Sequence, residues 1–214
     1  MEKIGQDAYS LDVNAHCALL VSGRLLLVDT GTSSDGKDLI KEIKSCGYRI
    51  DDIEYIILTH THPDHVGGLD TMKSLTNARI ASHEIEAPFI SKEVVYEGPP
   101  GKEAQRHKGT HVNDLLKDGD IYQGLLVIHT PGHTLGHISL LDRESGLLLA
   151  GDSFRTEEGE CLTMPDMYNI DPHQHKLSMK KLSEYDFSKT IVGHGNPIHN
   201  KAKELLTKAS ADFK

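Results

Sequence analysis

Cysteine is scarce in this 214-residue chain. Cys17, Cys46 and Cys161 are odd in number, scattered and without C-x-x-C spacing. That excludes a disulfide framework and a thiolate zinc site. No apolar run is long enough to span a bilayer, which excludes a transmembrane helix. The first residues, Met1-Glu2-Lys3-Ile4-Gly5-Gln6-Asp7, lack the charged-then-apolar layout of an export signal, so a cytoplasmic protein is the expectation. Basic charge is also short, with 23 Lys and Arg against 32 Asp and Glu and a net charge of -9. The basic residues are dispersed apart from short groups such as Lys201-Ala202-Lys203, and no nucleic-acid partner is expected. Low-complexity tracts and composition breaks are missing too, so residues 1–214 are expected to form a single domain. A mass of 23.6 kDa and a mean hydropathy of -0.39 suit a soluble enzyme with a full core.

Histidine and glycine at strand ends are what the chain does have. Ile53-Glu54-Tyr55-Ile56-Ile57-Leu58 reads as a buried strand and runs into Thr59-His60-Thr61-His62-Pro63-Asp64-His65-Val66-Gly67-Gly68. Imidazole nitrogen and carboxylate oxygen suit zinc, iron or manganese. His60 and His62 can converge on one ion from an extended turn, while Asp64 and His65 can face a second. A helix start is expected at Gly67-Gly68, running over Leu69 to Leu75, so these side chains lie where a strand ends and a helix begins.

The arrangement recurs further along. The run Leu125 to Thr130 empties into Pro131-Gly132-His133, Leu147 to Ala150 into Gly151-Asp152-Ser153, and Thr190 to Val192 into Gly193-His194-Gly195. Each candidate ligand adjoins a glycine that permits a tight turn. Seven ligand-type residues at four strand ends are hard to explain as surface scatter.

Taken in order, these residues resemble the metallo-β-lactamase superfamily, whose signature is H-x-H-x-D-H followed by a distant His, an Asp and a final His. Val28-Asp29-Thr30-Gly31 is similar to the first motif of that superfamily, so the resemblance spans about residues 15 to 200. It implies an α/β fold, a four-layer αβ/βα sandwich of two mixed sheets flanked by helices, with the site at one edge of the sheets. It also implies that His60, His62 and His133 hold one metal, that Asp64, His65 and His194 hold a second, that Asp152 bridges them, and that Asp29 supports the ligands without being one. Two divalent ions are the implied cofactors, zinc first, with iron or manganese as the other options.

Elsewhere the sequence predicts two strands, Ala15 to Val21 and Arg24 to Val28, joined by the two-residue turn Ser22-Gly23. It predicts helices over Asp35 to Ser45, His83 to Ile90, His173 to Ser183 and Lys201 to Ala211. Residues 97–111, broken up by Gly and Pro, are expected to form an irregular lid or binding loop. His16 and His137 lie close to motifs and are expected to support the ligands.

The expected activity is that of a metal-dependent hydrolase whose dinuclear centre and shared hydroxide cleave an ester, thioester or lactone in a small molecule. Asp64 serves as ligand and proton relay. The alternatives are a mononuclear iron persulfide dioxygenase of the same fold and a phosphodiesterase. Hydroxyacylglutathione hydrolases resemble the chain in THTHPDHVGG but append a helical domain with no expected counterpart after Asn200. Lactonases use a tyrosine soon after the bridging aspartate, where this chain has Ser153, Phe154 and Arg155. Specificity is expected from residues 84–112 and 154–170, with Phe154, Arg155, Met164, Met167 and Tyr168 as wall residues.

Overall fold

Runs of apolar residues with period two or none build two mixed sheets. The computed structural model describes residues 1–99, 101 and 107–214. Among them, one compact unit draws on 1–97 and 101–115, and a second draws on 98–99 and 116–214.

The first unit contains β1 (Glu2–Lys3), β2 (Ala8–Val13), β3 (Ala15–Leu20), β4 (Leu25–Val28), α1 (Lys37–Ser45), β5 (Ile53–Leu58), α2 (Pro63–Val66), α3 (Leu69–Leu75), β6 (Arg79–His83) and α4 (Ala87–Ile90). With β7 (Asp114–Leu116), its strands form a seven-stranded sheet in sequence order. The meander β1 to β4 is antiparallel, and β4, β5 and β6 then run parallel. Parallel pairing needs a crossover, and α1 and α3 supply the two connections. Leu39 and Ile43 of α1, Leu69 and Met72 of α3, and Leu27, Ile56 and Leu58 of the sheet share one buried cluster.

Helix α1 starts two residues later than predicted. The Asp35 carboxylate accepts the Lys37 amide hydrogen at 3.1 Å and the Ser33 hydroxyl hydrogen at 2.9 Å, and Gly36 sits at φ 61, so the chain turns here before it coils. The β3–β4 turn is longer than two residues. The last pair is Leu20 with Leu26, and the Val21 amide donates instead to the Asp7 carbonyl at 2.9 Å. His83 ends β6 rather than starting a helix, and only Ala87–Ile90 is helical. Arg79 to Ser82 pair in parallel with β5 and His83 continues that strand, so at this one residue the sheet overrides the expected helix.

The second unit holds β8 (Ile121–Tyr122), β9 (Leu125–His129), β10 (Ile138–Asp142), β11 (Leu147–Gly151), β12 (Arg155–Glu157), β13 (Glu160–Leu162), α5 (Pro172–Leu182), β14 (Lys189–Val192) and α6 (Ala202–Ser210). Its five-stranded sheet has the order β14-β11-β10-β9-β8, with β11 and β14 parallel, while β12 and β13 pair separately. Pro172 in the first turn and the Asp171 carboxylate, which accepts the Gln174 amide hydrogen at 2.9 Å, start α5 one residue before the predicted His173. Met179 and Leu182 of α5 and Leu206 of α6 pack with Leu148, Phe154 and Val192. Among the described residues no helix is long and apolar enough to cross a membrane. Of the expected loop 97–111, residues 100 and 102–106 lie outside the described residues.

Candidate metal centre

In the first unit the ligand-type side chains follow β5. Pro63 occupies the first helical position of α2 and holds His62 extended at φ -64, ψ 149, so the His60 and His62 side chains leave a stretched turn while Asp64 and His65 start a helix. Asp29 follows the parallel neighbour β4 in a left-handed conformation at φ 63, which is costly for a non-glycine residue. Its surroundings hold it there. The Asp29 carboxylate accepts the Thr59 amide hydrogen at 2.8 Å and the Thr59 hydroxyl hydrogen at 2.7 Å, and lies 2.7 Å from His65 Nδ1.

That network decides the tautomers. A carboxylate only accepts, so His65 carries its proton on Nδ1 and its lone pair on Nε2. The single Thr59 hydroxyl hydrogen is committed to Asp29, so toward His60 Nδ1, 3.0 Å away, the oxygen accepts, and His60 likewise carries its lone pair on Nε2. His62 is turned the other way. Its Nε2 lies 3.1 Å from the Tyr96 hydroxyl, which leaves Nδ1 as the ring atom for an ion. Ring centroids of His60 are 4.6 Å from His62 and 4.1 Å from His65. All three imidazoles are buried. Asp64 is half-buried, with Oδ2 at 3.9 Å from His65 Nε2. Glu86, fully buried, accepts the Thr61 amide hydrogen at 2.9 Å and so fixes the turn between the two histidines. Burial, and then the charge of Glu86, pushes the Tyr96 phenol up, so it stays protonated.

In the second unit three strand ends deliver His133, Asp152 and His194. His133 Nε2 and His194 Nε2 lie 3.2 and 3.4 Å from the same oxygen, Asp152 Oδ2. His133 and Asp152 are buried, and His194 is half-buried. Here too supporting groups fix the rings. The Asp152 amide donates to His137 Nε2 at 2.9 Å, so His137 carries its proton on Nδ1, directed to Thr130 Oγ1 at 2.8 Å. His133 Nδ1 lies 2.8 Å from Asn169 Oδ1. His175, fully buried, accepts the Met164 amide hydrogen on Nε2 at 3.2 Å. Burial first, with His133 adding to it, pushes the His175 imidazole down to about 4, so it is neutral at ordinary pH.

Two glycines set the loops around these ligands. Gly132 has φ 120, and a Cβ there would come within 2.1 Å of the His175 amide nitrogen. Gly195 has φ 101, and its Cβ would come within 1.9 Å of the Thr156 carbonyl oxygen. Only glycine combines that backbone with that proximity.

The seven residues singled out in the sequence therefore fall into two groups. Within the first unit His60, His62, Asp64 and His65 stand together, and within the second His133, Asp152 and His194 do. The donor set, imidazole nitrogen and carboxylate oxygen without thiolate, fits a divalent transition metal. Hydrogen bonds to the opposite ring atoms are the usual way in which metal-binding histidines are oriented.

The wall residues are placed unequally. Phe154 is fully buried in the core of the second unit, which gives it a packing position, and Met164 is buried beside His175. Arg155 is half-buried and paired with Glu157 at 2.6 Å. Met167 and Tyr168 are exposed on the single turn Asp166–Tyr168. Sequence reasoning misses Tyr96, Glu86, Asn169 and His175, because each reaches its partner through tertiary structure and belongs to no motif. His137 carries a local signal, its nearness to His133. Next to His16, Ser10 Oγ lies 2.8 Å from Nδ1.

The model of the metallo-β-lactamase superfamily matches residues 12–194. The chain is similar to the probable metallo-hydrolase YflN of Bacillus subtilis (strain 168), at 27% identity over 205 residues covering 82% of this chain and 77% of the relative. It is also similar to an N-acyl homoserine lactonase of Bacillus thuringiensis, at 30% identity over 168 residues covering 75% of this chain and 62% of the lactonase. Among solved structures, the class B3 di-zinc metallo-β-lactamase LRA-12 from an Alaskan soil metagenome matches with a TM-score of 0.78 and 18% identity, over 99% of this chain and 90% of that one. That last likeness is one of fold: mixed sheets flanked by helices, the α/β metallo-β-lactamase architecture expected from the sequence.

Proposed function

Because this chain belongs to the metallo-β-lactamase superfamily, we propose that it is a cytoplasmic, single-domain, metal-dependent hydrolase that cleaves an ester, thioester or lactone bond in a small molecule. In this reading His60, His62 and His133 hold one divalent ion, Asp64, His65 and His194 hold a second, and Asp152 serves both. The observation that carries it is the orientation of the imidazoles. Thr59, Asp29, Tyr96 and Asn169 each engage one ring nitrogen of His60, His65, His62 and His133, so that the opposite nitrogen is the one offered to an ion. Two bound ions, most simply zinc, would supply an activated water at neutral pH and polarise the carbonyl under attack.

The chain's own residues do the rest. Asp64, half-buried at the start of α2, would accept a proton and return it to the leaving oxygen or sulfur. Asp29 and Glu86 hold the strand-to-helix turn in place, and His137 holds the Asp152 backbone. Met167 and Tyr168, exposed beside the pinned Asn169, offer an apolar and aromatic wall. Similarity to an N-acyl homoserine lactonase supports a cyclic or open ester among the candidate substrates.

Elemental analysis of protein purified without added metal, paired with a panel of lactones, thioesters and phosphodiesters, tests the reading. The expected result is about two ions per chain and turnover of a lactone or thioester. One iron per chain, with oxygen consumed on a persulfide, would overturn it. Asp64→Asn keeps the shape but loses the charge, and hydrolysis is expected to fall about 100-fold or more with metal retained.

A further inference from the structure

We propose that Asn169 is a positioning residue that ties the segment 164–171 to His133, so that one amide side chain sets both the donor atom of this ligand and the place of Met167 and Tyr168. The inference rests on the reading of His133 as a metal ligand, and it adds a link between that ligand and the substrate wall.

The geometry leaves Asn169 one orientation. Its Nδ2 faces the Met164 carbonyl at 3.2 Å and the Pro165 carbonyl at 3.4 Å, and both of these only accept. The amide nitrogen must therefore point at them, and the amide oxygen at His133 Nδ1, 2.8 Å away. An amide oxygen cannot donate, so His133 carries its proton on Nδ1 and its lone pair on Nε2, the atom that faces Asp152. One buried side chain thus reads the tautomer of the ligand on one side and closes the turn Asp166–Tyr168 on the other.

Two backbone bonds continue the tie. The Ile170 amide donates to the His133 carbonyl at 3.2 Å, and the Asp171 amide donates to the Gly132 carbonyl at 2.9 Å. At the near end of the segment the Met164 amide donates to His175 Nε2. Gly132 also packs directly against the His175 backbone, which seats the loop carrying His133 on the first turn of α5. A shift of the wall that carries Met167 and Tyr168 is transmitted to the His133 ring, and a shift of the ring is transmitted to the wall.

The test uses the full chain loaded with zinc, chelator competition for metal affinity, and deuterium exchange of the peptide covering residues 164–171. Asn169→Ala removes both functions, and Asn169→Asp keeps an acceptor for His133 but not the hydrogens given to Met164 and Pro165. Asn169→Ala is expected to weaken zinc binding by about 10- to 100-fold and to speed exchange across the segment. Asn169→Asp is expected to hold zinc within about threefold of the parent while exchange still speeds up and KM rises more than kcat falls. Unchanged zinc affinity in Asn169→Ala, or equal loss of zinc in both variants, overturns the proposal. If Asn169→Ala does not fold, Asn169→Asp decides alone, since unchanged exchange at 164–171 would remove the tie. A parent protein that binds no metal would defeat the functional reading, whereas exchange in Asn169→Asp would still report on the tie itself.

Discussion

The two units assemble their shares of ligand-type residues in opposite ways. The first takes four side chains from six consecutive positions on a turn braced by two buried carboxylates, Asp29, bonded to both Thr59 donors and to His65, and Glu86, bonded to the Thr61 amide. The second takes His133, Asp152 and His194 from three strand ends far apart in sequence and braces the first two through neutral groups, Asn169 on His133 and His137 on Asp152. The contrast is between charge and shape. In the first unit buried anions hold a local turn. In the second, glycine-tight loops and amide hydrogen bonds hold distant ones.

Removing the shared oxygen of the second unit should have the largest effect. Asp152 Oδ2 faces both His133 and His194, so if the proposed two-ion centre holds, Asp152→Ala is expected to release metal from both positions and lower hydrolysis by about 1,000-fold or more, read by elemental analysis and turnover. Retention of one full equivalent of metal would break the assignment of Asp152 to both positions.

The bracing anion of the first unit comes next. Asp29→Ala strands three buried donors, so urea unfolding should show a loss of about 3 kcal/mol, together with weaker metal binding. A loss no larger than that of an ordinary surface substitution would remove the distinction between an anionic brace and a neutral one. For the shape-dependent unit the matching test is Gly132→Ala. At φ 120, with the His175 backbone 2.1 Å from the new Cβ, it should cost about 2 kcal/mol in the same assay and also loosen the metal. Neutral behaviour there would mean that the loop carrying His133 has slack.

Tyr96→Phe sharpens the comparison from its weak side. The hydroxyl on His62 is a neutral brace within the first unit, so its removal should weaken metal binding by about tenfold at most and leave stability nearly unchanged. An effect as large as that of Asp29→Ala would show that charge is not what separates strong braces from weak ones.

The same contrast separates what is legible in the amino-acid sequence from what is not. The strand Ile53–Leu58 and the run His60 to His65 are local, with period, proline and ligand spacing on adjacent letters, and they appear where the sequence places them. Helix α5 is legible because Asp171 and Pro172 mark its start. Strand β6 is not, since Arg79 to His83 becomes a strand through pairing with its neighbours β5 and β7. Asn169, Tyr96 and Glu86 are invisible for a related reason. Each is an ordinary residue type whose role depends on which atom lies about 3 Å away, and that neighbour is set by tertiary structure. Phe154 shows the reverse error: nearness in sequence to Asp152 suggests a wall residue, but its side chain lies within the core.

Asp29 has a consequence for how this chain can diverge. One carboxylate serves the Thr59 amide, the Thr59 hydroxyl and the His65 ring, and the same hydroxyl receives the His60 ring. Positions 29, 59, 60 and 65 are thus physically coupled, and a change at one is felt at the others. A Thr59→Val change in isolation costs Asp29 a donor and His60 an acceptor at once, and restoring them by a second change elsewhere would require a new side chain in a space already filled. Thr59→Ser is the single step open at that position, because it keeps the hydroxyl. Exposed positions such as Met167 and Tyr168 carry no such coupling, and a new side chain there can be accommodated in solvent.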